Sequence, residues 1–352
     1  MPDAASSQAV FATLAEDLLV WYEDAARELP WRIGPKDRAR GIRPDPYHVW
    51  LAEIMLQQTT IPHGTRYWHH FVKTWPRVED LAVAQDEAVM AAWAGLGYYA
   101  RARNLLKCAR EIASRGAWPK TAPELQKLPG IGPYTAGAIA ALAFDQRGAA
   151  VDGNVERVFS RLLAARGDWT EEKARIRDLV SGLVPVDRPA EFAEALMDLG
   201  ATLCTPKRPD CLICPLREMC AARAEGNAET YPIKPKKAPK PTRHGHVYVL
   251  VGPGRTVMTE RRPDRGLLGG MLGLPTSDWT GDVPVTDYPE QADWQEVGEV
   301  RHVFTHFALM LKVWRAVSPA GAQLTPISEA ADSLPSVFAK ALKLAVSGAK
   351  RA

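Results

Sequence analysis

Cys204, Cys211, Cys214 and Cys220 follow one another as C-x6-C-x2-C-x5-C within seventeen residues. Four thiolates crowded so tightly can ligate one metal centre, and the chain around them must fold to close on it. The loop between the first two, Thr205-Pro206-Lys207-Arg208-Pro209-Asp210, would hold two cations at the surface of that centre. Upstream lies a glycine turn, Leu128-Pro129-Gly130-Ile131-Gly132. A metal-stapled basic loop together with a glycine hairpin suggests a reader of nucleic-acid backbone.

Composition bounds the rest. At roughly 150 residues per domain, 352 residues suggest about two domains, each able to bury its own core. The net charge is only +3, so binding to a polyanion has to rest on how the charges are distributed. Met1 to Val10 carry neither a basic nor an apolar leader region. No apolar run approaches the roughly 18 residues that a membrane span needs, so no membrane partner is expected. Of five cysteines, four are in the cluster, and Cys108 stands alone on a helical pattern. That usage suits a reducing cytosol rather than a secreted disulfide framework, and a cytoplasmic, nucleoid-associated protein is expected.

The texture changes near residue 235. Residues 8 to 225 read as alanine-rich amphipathic helices punctuated by Pro and Gly. Pro232-Ile-Lys-Pro-Lys-Lys-Ala-Pro-Lys-Pro-Thr-Arg243 reads as a semi-rigid linker. Beyond it, His246–Val251, Thr256–Arg261, His302–Phe307 and Leu309–Trp314 read as strands, and Val337–Val346 as a closing helix. The expected organisation is mainly α: an all-α domain over 1–231, a basic linker over 232–244, and a smaller α+β domain over 245–352.

Three elements carry candidate chemistry. Gly130 and Gly132 precede Pro133 at the start of a helix, a geometry that presents backbone N–H groups to a phosphate or simply turns the chain. Glu53 lies in the apolar run Val49-Trp-Leu-Ala-Glu-Ile-Met-Leu56, where partial desolvation raises a carboxyl pKa; a buried salt bridge is the plainer reading. Asp152 precedes Gly153-Asn154 and is equally placed to cap a helix. Together they offer the acid and the anion that glycosidic cleavage requires.

The hairpin, Val151-Asp152-Gly153-Asn154-Val155 and the cysteine spacing resemble the endonuclease III superfamily of helix-hairpin-helix DNA glycosylases, and within it the adenine DNA glycosylases (MutY type). Further matches are Leu29-Pro30-Trp31-Arg32, Glu53-Ile-Met-Leu-Gln-Gln-Thr59, Gly95–Asn104 and Phe192–Ala201, so the likeness covers most of residues 27 to 220. The resemblance implies that Glu53 protonates the departing adenine and helps to activate water. It makes Asp152 the stabiliser of the cationic sugar and Asn154 an orienting neighbour. Tyr134 stands where strand-cutting relatives carry a lysine, which implies a glycosylase without lyase chemistry. Gln58 and Tyr98 match residues that wedge into the base stack, while Arg27, Leu29, Trp31 and Glu194 match positions lining the adenine pocket. Ordinary core or a solvated face remains open for these. The stretch from Ile33 to Asp45 is a basic loop longer than the family pattern, near the pocket; extra phosphate contact is one reading of it and simple insertion the plainer one. Zinc suits four thiolates, but the uneven spacing matches the family's single 4Fe–4S cluster. Lys207 and Arg208 on its loop are the candidates for phosphate contact.

Gly266–Pro275 and Phe304-Thr305-His306-Phe307 resemble the Nudix-like domain with which this family senses 8-oxoguanine, implying lesion recognition by Phe304, Thr305 and His306. A buried strand is the alternative. The Nudix catalytic box is absent from the sequence, and the family often has serine where Thr305 stands. The expected partner is double-stranded DNA with adenine opposite 8-oxoguanine or guanine, bound by a monomer. A pyrimidine glycosylase/lyase and a non-catalytic iron–sulfur DNA-binding module are the competing readings; Tyr134 and Glu53 argue against the first, and the second needs neither carboxylate.

Overall fold

The computed structural model describes residues 11, 13–235, 238–263, 266–318 and 324–347. Residues 1–10, and Lys236 and Lys237 of the expected linker, lie outside the described residues. The chain divides into two units, Met1–Val89 with Ala100–Lys236, and Met90–Tyr99 with Lys237–Ala352.

The longer helices of the first unit are α1 (Leu14–Ala25), α2 (Pro46–Met55), α3 (Ile61–Thr74), α4 (Ala100–Arg115), α5 (Pro133–Phe144), α6 (Gly153–Leu162), α7 (Trp169–Leu183) and α8 (Pro189–Thr202). Their starts follow local chemistry. Asp45, Asp152 and Asp168 accept backbone N–H bonds at the heads of α2, α6 and α7, and Pro46, Pro133 and Pro189 occupy first-turn positions of α2, α5 and α8. Helix α5 is apolar on every side, with Thr135 to Ala143 all buried, so it can only be central. It packs against α2 and α8.

The glycine hairpin leads into α5. Leu128 and Ile131 are buried and anchor it from beneath. Gly130 has φ +76°, and a Cβ there would meet Asn104 Cβ of α4 at 2.7 Å, so both conformation and close approach demand glycine. The stretch after Ile33 has structure of its own. It contains a short helix, Pro35–Ala39, and its Arg38 is only 6% exposed, turned inward rather than solvated.

The second unit is built on a five-stranded sheet in the order β5-β6-β1-β2-β7, from β1 (Thr242–Gly252), β2 (Thr256–Met258), β5 (Gln295–Val303), β6 (Ala308–Val317) and β7 (Leu324–Pro326). Strands β3 (Glu260–Arg261) and β4 (Leu272–Gly273) pair separately. The β1–β6 pair is parallel, and the other pairs are antiparallel. Val247, Val249, Leu309, Leu311 and Val313 project into a core shared with Phe338, Ala341 and Leu342 of α9 (Ser336–Ser347). Two expectations are corrected. Strand β1 starts at Thr242, ahead of the expected boundary at 245, because Thr242 already pairs with Ala308. The expected strand His302–Phe307 ends at Val303, where Phe304 N donates to Phe307 O at 2.8 Å and closes a turn into β6.

At Gly200, the last buried residue of α8, a Cβ would meet Asn154 Cβ at 2.6 Å. Gly200→Ala is therefore expected to overpack the start of α6 by about 1–3 kcal/mol and to lower the melting temperature by several degrees. An unchanged melting curve would show that the contact yields without strain.

Candidate active site

Three helix ends meet in the first unit. Glu53 sits two residues before the end of α2, Tyr134 at the second position of α5, and Asp152 caps α6. Burial pushes the Glu53 carboxyl up to about 7, against the pull of a hydrogen bond from Tyr134 and the nearby Arg32 charge; Asp152 and Glu194 push it further up. Burial also holds the Tyr134 phenol well above its ordinary value, with Glu53 and Asp152 adding to the effect, so it remains a proton-bearing donor. Asp152 accepts three hydrogen bonds: Oδ1 takes the backbone N–H groups of Asn154 and Val155, each at 2.8 Å, and Oδ2 takes Asn154 Nδ2 at 2.8 Å. The helix N-terminus favours negative charge at this position. The cap reading of Asp152 is the one this geometry shows.

Behind this cluster is a buried ionic network centred on α8. Asp198, fully buried, takes Arg27 Nε at 2.7 Å and Arg32 Nη1 at 2.8 Å. Glu194, 1% exposed, accepts from Tyr22 Oη at 2.7 Å, with Arg32 at 3.6 Å and Arg38 at 3.7 Å. Burial alone would lower Arg32, but Glu194 and Asp198 outweigh it and push its pKa up. Burial raises Glu194 against the opposing pull of Arg32 and Arg38. The side chains expected to line an adenine pocket are therefore largely engaged with other residues of the unit. Glu194 and Arg27 are partnered in the network, Trp31 is buried with its ring centroid 5.7 Å from that of Trp68, and Leu29 is half-buried.

Asp152 is also tied to the cysteine loop. Arg157 Nη2 donates to Asn154 Oδ1 at 2.9 Å and to Gly200 O at 2.7 Å, while its Nε donates to Cys204 O at 2.8 Å. Arg161, almost fully buried, reaches Cys204 Sγ at 3.2 Å and Thr205 O at 2.7 Å. All four cluster cysteines are free thiols lining one pocket, which encloses about 310 Å³ including its open mouth. Burial pushes Cys214 up to about 12 and raises Cys211 and Cys220, with the neighbouring sulfurs adding to each. Thiolates so placed need a cationic centre, and the donor set fits one. Among the described residues no three such side chains are set to hold a single metal ion.

Of the expected DNA-facing groups, Gln58 (φ 58°) follows α2 in a left-handed turn and is exposed, as are Gly130 and Gly132. Lys207 and Arg208 are exposed on the cysteine loop, where Arg208 N donates to Glu229. In the second unit Thr305 and His306 are exposed on the β5–β6 turn rather than buried in a strand. Trp279 stacks on Phe304 with centroids 5.8 Å apart, and Lys240 Nζ donates to Phe304 O at 2.7 Å. Tyr98, 51% exposed and grouped with this unit, brings its hydroxyl 3.4 Å from Thr305 Oγ1.

Sequence reasoning missed Tyr22, Arg32, Arg38, Arg157 and Asp198. Arg32 and Asp198 lie inside the quoted motif stretches and could have been singled out. Nothing local marks Tyr22 or Arg38, whose partners are far away in sequence.

Residues 51–181 match the family described as HhH-GPD superfamily base excision DNA repair protein, and residues 246–344 match a NUDIX domain. The chain is 34% identical to the adenine DNA glycosylase of Mus musculus over 376 residues, spanning 88% of this chain and 72% of that protein. It is 33% identical to the Homo sapiens adenine DNA glycosylase over 382 residues, spanning 88% and 69%. Among solved structures, a thermostable thymine-DNA glycosylase superposes with a TM-score of 0.54 at 26% identity, covering 62% of this chain and 99% of that one. A non-covalent endonuclease III–DNA complex gives 0.51 at 21% identity, covering 64% and 99%, a likeness of fold.

The raised Glu53 carboxyl has a measurable signature. In the folded chain it keeps its proton up to about pH 7, whereas an ordinary glutamate releases it near 4.5. The folded state thus binds more protons across that window, and its stability falls as pH rises from 4.5 toward 7. In ¹³C-carboxyl NMR, Glu53 is expected to titrate near 7. Tyr134→Phe, which removes the hydrogen bond that favours the anion, moves the midpoint higher. A midpoint near 4.5, or one lowered by the variant, would contradict this electrostatic account.

Proposed function

This chain belongs to the adenine DNA glycosylase family, and on that premise we propose that it excises adenine paired with 8-oxoguanine or guanine from duplex DNA by a monofunctional route. The observation that carries the proposal is the pairing of a carboxyl near 7, Glu53, with Asp152, fixed by hydrogen bonds at the head of α6, across a tyrosine rather than an amine. The two carboxyls have been given opposite tasks by their surroundings.

In this reading the target adenine leaves the stack, since its glycosidic bond is out of reach inside the duplex. Gln58 and Tyr98 fill the gap, and Arg27, Leu29, Trp31 and Glu194 shape the pocket wall, the two charged residues acting through the network that holds them. Glu53 delivers its proton to the imidazole ring of adenine. The C–N bond then breaks with its electron pair moving onto the base, and the cation left on the sugar faces Asp152. Glu53, now a carboxylate, takes a proton from the attacking water. Proton delivery of this kind is worth about two to four orders of magnitude in rate. Tyr134 has no amine with which to form a Schiff base, so the product is an abasic site in an intact strand.

Cys204, Cys211, Cys214 and Cys220 would hold one 4Fe–4S cluster, which when bound supplies a covalent cross-link for the loop. Lys207 and Arg208 on that loop, with the N–H groups near Gly130 and Gly132, take phosphates. Phe304, Thr305 and His306 read the oxidised guanine from the turn after β5. The protein works as a monomer on DNA in the cytoplasm.

Incubating excess protein with a labelled duplex holding adenine opposite 8-oxoguanine tests this directly. Breakage at the adenine only after alkali is the expected result, whereas breakage without alkali would establish lyase chemistry. Glu53→Gln should reduce single-turnover excision by about a hundredfold or more while duplex affinity stays close to the parent's. Excision at the parent rate would remove Glu53 from its role.

A further inference from the structure

The turn that carries Gln58 is held in an unusual way. Helix α2 ends at Met55, and the left-handed Gln58 follows almost at once, a conformation costing about 1–2 kcal/mol for a residue with a Cβ. Beneath lies a small pocket of about 250 Å³ including its open mouth, lined by Trp50, Ile54, Gln57, Arg101, Asn104 and Gly130 among others.

Arg101, in the first turn of α4, reaches across this space. Its Nη1 donates to Ile54 O at 2.9 Å and to Gln57 O at 2.8 Å, with Met55 O at 3.4 Å. These are terminal carbonyls of α2 and the turn, groups that a helix end leaves without partners and that a cation suits. One helical turn further along α4, Asn104 is the residue against which Gly130 of the hairpin closes. Gln57 adds a second tether, donating from Nε2 to Thr135 Oγ1 of α5 at 3.2 Å. One face of α4 thus sets the Gln57–Gln58 turn against both the Glu53 helix and the hairpin.

The structure assigns Arg101 as a positioning residue for base extrusion, fixing the Gln57–Gln58 wedge turn in register with the Glu53 helix and the glycine hairpin. The assignment rests on the proposed role of Gln58. Arg101 itself, with its donor spent on three carbonyls, holds the backbone from which Gln58 enters the stack.

The test uses the full-length protein and a duplex with adenine opposite 8-oxoguanine and 2-aminopurine beside the adenine. Arg101→Met is expected to slow the 2-aminopurine fluorescence rise that reports flipping by between about tenfold and a hundredfold, with single-turnover excision falling in step. Affinity for an undamaged duplex and the melting temperature should stay near the parent's. Arg101→Lys, whose ammonium can still reach carbonyls, should recover part of the loss. Flipping at the parent rate in a folded Arg101→Met overturns the assignment, as does a fall in excision with flipping unchanged. If that variant does not fold, Arg101→Gln replaces it under the same criteria. A parent protein that excises no adenine would sink the functional reading instead, because flipping is read independently of cleavage.

Discussion

Two carboxylates buried in one helix govern the first unit. Glu194 and Asp198 lie on α8 with almost no contact with solvent, and an uncompensated charge there would be prohibitive. They draw in Tyr22 from α1, Arg27 and Arg32 from the segment after it, and Arg38 from the stretch beyond. Four separate places in the N-terminal chain are pinned to one helix face as a result. Removing one partner of such a set costs about 3–5 kcal/mol, a large share of the roughly 5–15 kcal/mol that holds a typical domain together. The network also sets the field at the reaction centre, because Arg32 lowers and Glu194 raises the affinity of Glu53 for its proton.

Against that background the Glu53–Asp152 pair needs little machinery. Asp152 spends its oxygens on two backbone N–H groups and one amide, so its carboxyl group is held in place locally. Glu53 is packed in an apolar helix and its proton stays on to near neutrality. Arg157 then carries the geometry of Asp152 outward through Asn154, Gly200 and the Cys204 carbonyl. Loosening the cysteine loop would be felt at the carboxylate through three hydrogen-bonded residues, without any change in the carboxylate itself.

What the sequence discloses follows from how local each signal is. Glu53 stood out because a charge interrupts an apolar run, and Asp152 because a cap precedes a helix; both signals lie within a few residues. The hairpin, the cysteine loop and the starts of α2 and α5 are legible for the same reason. Arg38 was invisible, since a basic residue in a basic stretch looks solvated until Glu194 and Leu142 O are known to surround it. The pocket assignments for Arg27 and Glu194 had the converse difficulty: a motif supplies a position but not the partners that occupy it. Residues 304–307 were misread as strand because Phe and Thr favour strands, whereas the bond between Phe304 and Phe307 turns the chain.

That misreading points to a rule that spans both units. Glu53, Tyr134, Asp152 and Gln58 sit at helix ends, and Thr305 and His306 sit where one strand hands over to the next. Ends are where backbone N–H and C=O groups lack intrinsic partners and where a side chain can be rigidly based yet exposed. A chain that must present an acid, an anion, a wedge and a reading turn has few other places to put them. The cost is that each end needs something else to satisfy it: Asn154 at α6, Arg101 at α2, and Lys240 with Trp279 at the β5–β6 turn. The residues that complete the ends are consequently as constrained by the geometry as those that face the ligand, although none of them need touch it.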